Sequence, residues 1–166
     1  MPDSPLRLLW ISALVIVLDQ FTKYLAVANL PFQQAVNVMP YFDWYLTHNR
    51  GAAFSFLADA DGWQRWFFTA ITIVISTVIL LWIKKLEQND RVTAIPLCLI
   101  LGGAIGNLID RIYLGYVIDY VLVWLGNYPW PAFNVADAAI SIGATVLILS
   151  SFIDTKKAAV KHNQSG

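Results

Sequence analysis

The chain has 166 residues, 58% of them apolar and 13% charged, with eleven basic residues balancing eleven acidic ones. Average globular chains carry roughly 45–50% apolar and about 25% charged residues. Intrinsic disorder is therefore excluded, since it needs few apolar residues and many charges, and the neutral balance leaves no electrostatic footprint for nucleic acid. The single cysteine, Cys98, excludes an intrachain disulfide scaffold, and its apolar surroundings argue against a reactive thiol.

The apolar surplus is gathered into segments. Leu8 to Leu18 is uncharged, and the pattern continues to Leu30 past Asp19 and Lys23. Trp66–Ile83, Val92–Ile109 and Ala138–Phe152 are also free of charge, the last extended upstream by Phe133–Asp137. A membrane helix needs about 20 mostly apolar residues, so the sequence predicts four spans, at about 8–28, 66–84, 92–110 and 133–153. A soluble bundle would show a polar face at every turn, and Phe67–Ile83 offers only Thr69, Thr72, Ser76 and Thr77. A cleavable leader ending near Ala26-Val27-Ala28 is disfavoured, because Asp19 and Lys23 would fall between the apolar run and the cut.

Arg7, the loop residues Lys84, Lys85 and Arg91, and the tail residues Lys156, Lys157 and Lys161 fall on one side of a four-span arrangement. The positive-inside rule makes that side the cytoplasm, with both termini there. Trp63 and Trp66 at one boundary, and Trp10 and Trp82 at the other, suit aromatic belts. Two outer segments remain, about 29–65 and 112–132. The first has strand-like composition at Val36, Val38, Trp44, Leu46 and Phe54, with a turn at Asp59–Gly62, so a small strand-rich platform is expected there. The second carries Gly115, Gly126, Pro129 and Pro131. The fold class is thus an all-α membrane protein with an outer platform, in one domain.

Ionisable residues in spans are costly and mark function by default. Here they are Asp19, Lys23, Asp110, Arg111 and Asp137, with Asp119 in the second outer segment. Topology places all except the deeper Asp19 at the outer boundary, together with Asn49, Arg50, Asn107 and Asn134. One polar site at the outer interface follows. Asp19 and Lys23, spaced i, i+4, suit either a mutual ion pair or a part in that site. Asn107, Asp110 and Arg111 share a helix face, as an interhelical clamp or as donors and acceptors for a peptide. Gly102-Gly103-Ala104-Ile105-Gly106 contains a GxxxG suited to close packing. Asn134 reads as an N-cap with Asp137 in the first turn.

His48 and His162 are isolated, so zinc is poorly supported. No serine has a nucleophile-elbow context, and no glycine-rich phosphate loop lies outside the spans. Carboxylates remain. Two aspartates brought close share a proton, so one can take a proton from water while the other donates to a carbonyl. That is metal-free peptide hydrolysis, and spacing leaves Asp110, Asp119 and Asp137 all open for the pair. The competing class is a small transporter subunit or membrane chaperone that uses the polar cluster for binding.

Five blocks resemble, in order, those of bacterial lipoprotein signal peptidases (signal peptidase II). They are Asp19-Gln20-Phe21-Thr22-Lys23, Asn49-Arg50-Gly51-Ala52-Ala53-Phe54-Ser55, Gly102 to Arg111, Gly115-Tyr116-Val117-Ile118-Asp119-Tyr120 and Phe133-Asn134-Val135-Ala136-Asp137. The resemblance implies an aspartic endopeptidase of the bacterial inner membrane, acting at its periplasmic face without a cofactor. Its substrates would be prolipoproteins, cut just before a diacylglyceryl-modified cysteine, and membrane lipid would be a partner. Asp119 and Asp137 would be catalytic. Asn49, Asn107, Arg111 and Asn134 would line the substrate or inhibitor site, with Asp19, Lys23 and Asp110 in support. Globomycin, an inhibitor of the family, would act here. Tyr120 stands where the family often has Phe, a difference expected to matter little.

Overall fold

The computed structural model describes residues 4–51 and 63–164, without the side chains of Gln64 and of residues 153–164. The Asp59–Gly62 turn and the strand-like Phe54 lie outside the described residues. Four long helices are present: α1 (Leu9–Asn29), α2 (Trp63–Lys85), α3 (Arg91–Tyr113) and α4 (Val135–Gln164). All four carry stretches long and apolar enough to cross a membrane, within Pro5–Asn29, Arg65–Lys85, Arg91–Tyr113 and Val135–Phe152. The sequence places the fourth span from residue 133. The helix begins two residues later, because Phe133 is held in a β-bridge with Val121 and Asn134 serves as the cap.

α3 is the central helix. It packs against α1 and α4 through small residues. A Cβ on Gly102 would lie 2.8 Å from Val15 Cβ and 2.9 Å from Ser12 Cα. One on Gly103 would collide with the backbone oxygen of Ala136. One on Gly106 would lie 2.6 Å from Asp19 Oδ2. The GxxxG run therefore does what close packing requires of it, and its third glycine also makes room for a carboxylate. Ile79, Ile83, Leu97, Cys98 and Leu101 form the core between α2 and α3. Leu14, Val17, Phe21, Val74, Val78, Ile142 and Ile148 remain exposed on the helices' outer faces.

Among the described residues, four strands form one antiparallel sheet in the order β1-β2-β3-β4: Ala35–Met39, Phe42–Asn49, Val117–Leu125 and Tyr128–Pro129. The sheet is not confined to the first outer segment. Its most buried strand, β3, comes from the second, in the run Val117-Ile118-Asp119-Tyr120-Val121. That run is rich in β-branched and aromatic residues, which favour a pleated surface. Gly115, at φ +86°, ends α3 in the left-handed conformation that a glycine adopts without strain. The N–H groups of Leu114 and Gly115 both donate to Asp110 O there. The chain then turns directly into β3. Ile118 and Tyr120 pack with Leu46 and Ala26, at the end of α1. Alternation sends Asp119 to the opposite face.

Candidate active site

The site forms where β3 meets the first turn of α4 and the last turns of α3. Asp119 is 1% exposed. Its Oδ2 accepts from Asn49 Nδ2 at 3.0 Å, and its Oδ1 accepts from Asn134 Nδ2 at 2.7 Å. Register explains the first contact: β2 pairs Thr47 with Asp119, so Asn49, two residues along, shares Asp119's face. Asn49 Oδ1 in turn accepts from Gly51 N at 3.1 Å, which fixes its amide.

Asn134 is both a cap and a bridge. Its Oδ1 accepts from Asp137 N at 2.9 Å, and Asp137 Oδ2 accepts from Asn134 N at 3.3 Å. This is a reciprocal N-terminal box. Asn134 Nδ2 also reaches Ile118 O at 3.1 Å and Asn107 Oδ1 at 3.2 Å. Asn107 Nδ2 then donates to Asp137 Oδ1 at 2.8 Å. The carboxylates of Asp119 and Asp137 are thus joined through two asparagine amides. Asp137 is half-buried, so one carboxyl lies beneath the surface and the other opens toward it.

Beneath this pair lies a buried charge cluster. Lys23 Nζ lies 2.8 Å from Asp19 Oδ2, 2.8 Å from Asp110 Oδ2 and 3.0 Å from Asn107 Oδ1. An ammonium has three donors and no acceptor, and all three are directed at oxygens here. Asp19 Oδ1 accepts from Ala136 N at 2.9 Å, which places an anion at the positive end of α4. Asp110 Oδ2 also accepts from Ile118 N at 3.1 Å, fixing the residue that precedes Asp119. Asp19 and Lys23 therefore form the ion pair that their spacing suggests, and Asn107 joins it to the asparagine network.

Arg111 lies beside this network, in the last turns of α3. Its Nη1 donates to Asn107 O at 3.4 Å, and its guanidinium sits 5.7 Å from the centre of the Phe68 ring. Arg50, placed by topology near the same boundary, is exposed.

Outside the spans, the Asp119 carboxyl is pushed up to about 7. Burial is the main cause, followed by the negative charge of Asp137. Hydrogen bonds from Asn49 and Asn134 and the charge of Lys23 oppose the rise without cancelling it. At neutral pH Asp119 can therefore carry a proton, as one member of an acid–base pair must. Among the described residues, no group of three or more histidines, cysteines or acids is placed to hold a metal ion.

Three contributors are missed by sequence reasoning. Gln20 Nε2 reaches Asp110 Oδ1 at 3.0 Å, Asp19 Oδ2 at 3.2 Å and Gly106 O at 3.2 Å. Arg65 Nε donates to Arg111 O at 2.8 Å, and its Nη2 donates to Ile112 O at 2.6 Å, closing the C-terminal end of α3. Tyr120 Oη donates to Thr22 Oγ1 at 2.7 Å. A cation at the outer end of the second span is the only available signal for Arg65. For Gln20 and Thr22 the contacts that matter are not legible in spacing, because Asp110 and Gly106 lie on α3 and Tyr120 lies on β3.

A family model, Peptidase_A8, described as signal peptidase (SPase) II, matches residues 11–153. The lipoprotein signal peptidase of Pseudomonas putida is 51% identical over 157 residues, covering 93% of this chain and 92% of that one. That of Alteromonas mediterranea is 50% identical over 150 residues, covering 90% and 82%. A solved structure described as a bacterial membrane enzyme, obtained by the in meso method at 2.3 Å resolution, matches with a TM-score of 0.82 and 28% identity. It covers 94% of this chain and 93% of that chain.

Proposed function

The chain belongs to the signal peptidase II family and cleaves signal peptides from prolipoproteins; from that premise we propose that Asp119 and Asp137 are its catalytic pair. The observation that carries this is the asparagine bridge, with Asn134 on Asp119 at 2.7 Å and Asn107 on Asp137 at 2.8 Å. It holds two carboxyls in one site, each of their oxygens accepting a hydrogen bond from an asparagine.

In this mechanism the pair shares one proton. Asp119, in the drier position, carries it, and Asp137, in the first turn of α4, carries the charge. Asp137 takes a proton from water as the water oxygen attacks the scissile carbonyl carbon. Asp119 gives its proton to the carbonyl oxygen. The tetrahedral diol then collapses: Asp119 takes back a proton from one diol hydroxyl as the carbonyl re-forms, the carbon–nitrogen bond breaks, and the amine leaves with the proton held by Asp137. Asn49, Asn107, Arg111 and Asn134 hold the peptide and the developing oxyanion. Asp19, Lys23 and Asp110 support that arrangement from beneath.

The cut falls on the N-terminal side of a diacylglyceryl-modified cysteine, with the acyl chains remaining in lipid. Both termini are cytoplasmic, and the sheet and site face the periplasm. Arg7, Lys84, Lys85 and Arg91 support this orientation. Exposed Phe32, Val36, Val38, Met39 and Tyr41 on the outer hairpin support lipid as a partner. Globomycin is expected to inhibit at the same site.

The test is cleavage of a diacylglyceryl-modified prolipoprotein by the purified protein in detergent, with Asp119→Asn and Asp137→Asn as comparisons. Loss of more than about a thousandfold in each well-folded variant is expected. Retained cleavage in either variant removes it from the pair and brings Asp110 forward.

A further inference from the structure

The hydroxyl that distinguishes Tyr120 from a phenylalanine is in use. Tyr120 is 5% exposed, and a buried phenol requires a hydrogen-bond partner. It donates to Thr22 Oγ1 at 2.7 Å, and Thr22 Oγ1 in turn reaches Leu18 O at 2.7 Å and Asp19 O at 3.0 Å.

The hydroxyl therefore joins β3 to α1. Asp119 immediately precedes Tyr120 on β3. Lys23 immediately follows Thr22 on α1. We propose that the Tyr120 hydroxyl is a positioning group for the cleavage reaction, pinning β3 to α1 so that Asp119 stands at a fixed place relative to Asp137. This rests on the reading of those two aspartates as the catalytic pair.

Strand alternation puts the Tyr120 side chain on the face opposite Asp119, so it acts through the backbone and does not touch the substrate. The backbone hydrogen bonds nearby leave a small gap for it to close. Tyr120 N donates to Phe133 O at 3.1 Å and Val121 N to the same oxygen at 2.9 Å. These tie β3 to the residue before the α4 cap, but nothing in them ties β3 to α1. The Tyr120–Thr22 bond supplies that third tie. A reacting group displaced by about 1 Å can cost on the order of a hundredfold in rate, so a loosened tie is visible in kcat.

The experiment measures kcat and KM for prolipoprotein cleavage by the full chain in detergent, with thermal unfolding in the same detergent. The variants are Tyr120→Phe, Thr22→Val, the double variant and Thr22→Ser. Tyr120→Phe and Thr22→Val are each expected to lower kcat about tenfold, the rate equivalent of one hydrogen bond. KM should stay within about twofold, and the double variant should be no worse than either single one. Thr22→Ser, which keeps the hydroxyl, should retain most of the rate. Tyr120→Phe with unchanged kcat overturns the proposal, as do losses that multiply in the double variant. Asp119→Asn in the same series keeps the two readings apart. If it is inactive while Tyr120→Phe is unimpaired, only the positioning role fails. If it cleaves normally, the catalytic pair itself is wrong.

Discussion

Lys23 Nζ lies 3.0 Å from Asn107 Oδ1, and that contact decides which way the Asn107 amide faces. An ammonium can only donate, so the amide oxygen must face it. The amide nitrogen is left to point at Asp137, 2.8 Å away. A lysine with no place in the proposed chemistry thus sets the hydrogen-bonding character of the surface that Asp137 meets.

Replacing Lys23 with Met is expected to destabilise the protein by about 3–5 kcal/mol, because Asp19 and Asp110 would remain buried with their cation removed. Thermal unfolding in detergent measures this. Adding Asp19→Asn to Lys23→Met should recover part of the loss. If the double variant melts no higher than the single one, the buried charge is not the cause.

Cleavage should slow as pH rises through about 7, because the Asp119 carboxyl is pushed up to about 7 and the proton that the proposed mechanism draws from it is lost there. The effect on stability has the same sign. The folded chain holds this proton more tightly than the unfolded chain, so the fold loses stability progressively between about pH 4 and pH 7. Asp119→Asn should flatten that part of the melting-temperature profile. A wild-type profile equally flat over the same range would contradict the raised carboxyl.

Arg65→Met removes both donors from the carbonyls of Arg111 and Ile112. The expected cost is about 1–2 kcal/mol in stability, with a fall in kcat as the turn from α3 into β3 loosens. Stopped assays of cleavage at saturating substrate, set beside melting curves, report both. Arg65→Lys should recover only part, since an ammonium lacks the forked geometry.

Gly103→Ala should destabilise by about 1–3 kcal/mol, because its new methyl meets the backbone of Ala136, which cannot rotate away as a side chain can. Melting temperature is the readout. A variant as stable as the wild type would mean that α3 and α4 do not approach as closely as described.

Composition and uncharged runs were enough to find the helices, since crossing hydrocarbon leaves a long uninterrupted signal. The convergence of Asn107, Asp110, Asp119, Asn134 and Asp137 was legible because alternating spans return their ends to the same side. β3 was not legible: Gly115, Pro129 and Pro131 marked the segment as a loop, while the two-sided burial that makes it a strand comes from neighbours on other elements. The asparagine bridge and the Tyr120–Thr22 bond were hidden for the same reason. Spacing along one helix face reveals partners within that helix, and these partners lie up to 98 residues apart.

Asp19 accepts from the backbone of Ala136, 117 residues later in the chain. Its position in the first helix means that this acceptor is made early and must wait for most of the protein to be synthesised. Lys23 meets its own partners, Asn107 and Asp110, only when the third helix arrives, and the amide that Asp19 holds comes with the fourth. No nascent chain that stops short of Asp137 contains the whole proposed constellation. On the proposed catalytic pair, proteolytic competence is a property of the finished bundle, since an intermediate with only three helices in the bilayer lacks Asn134 and Asp137.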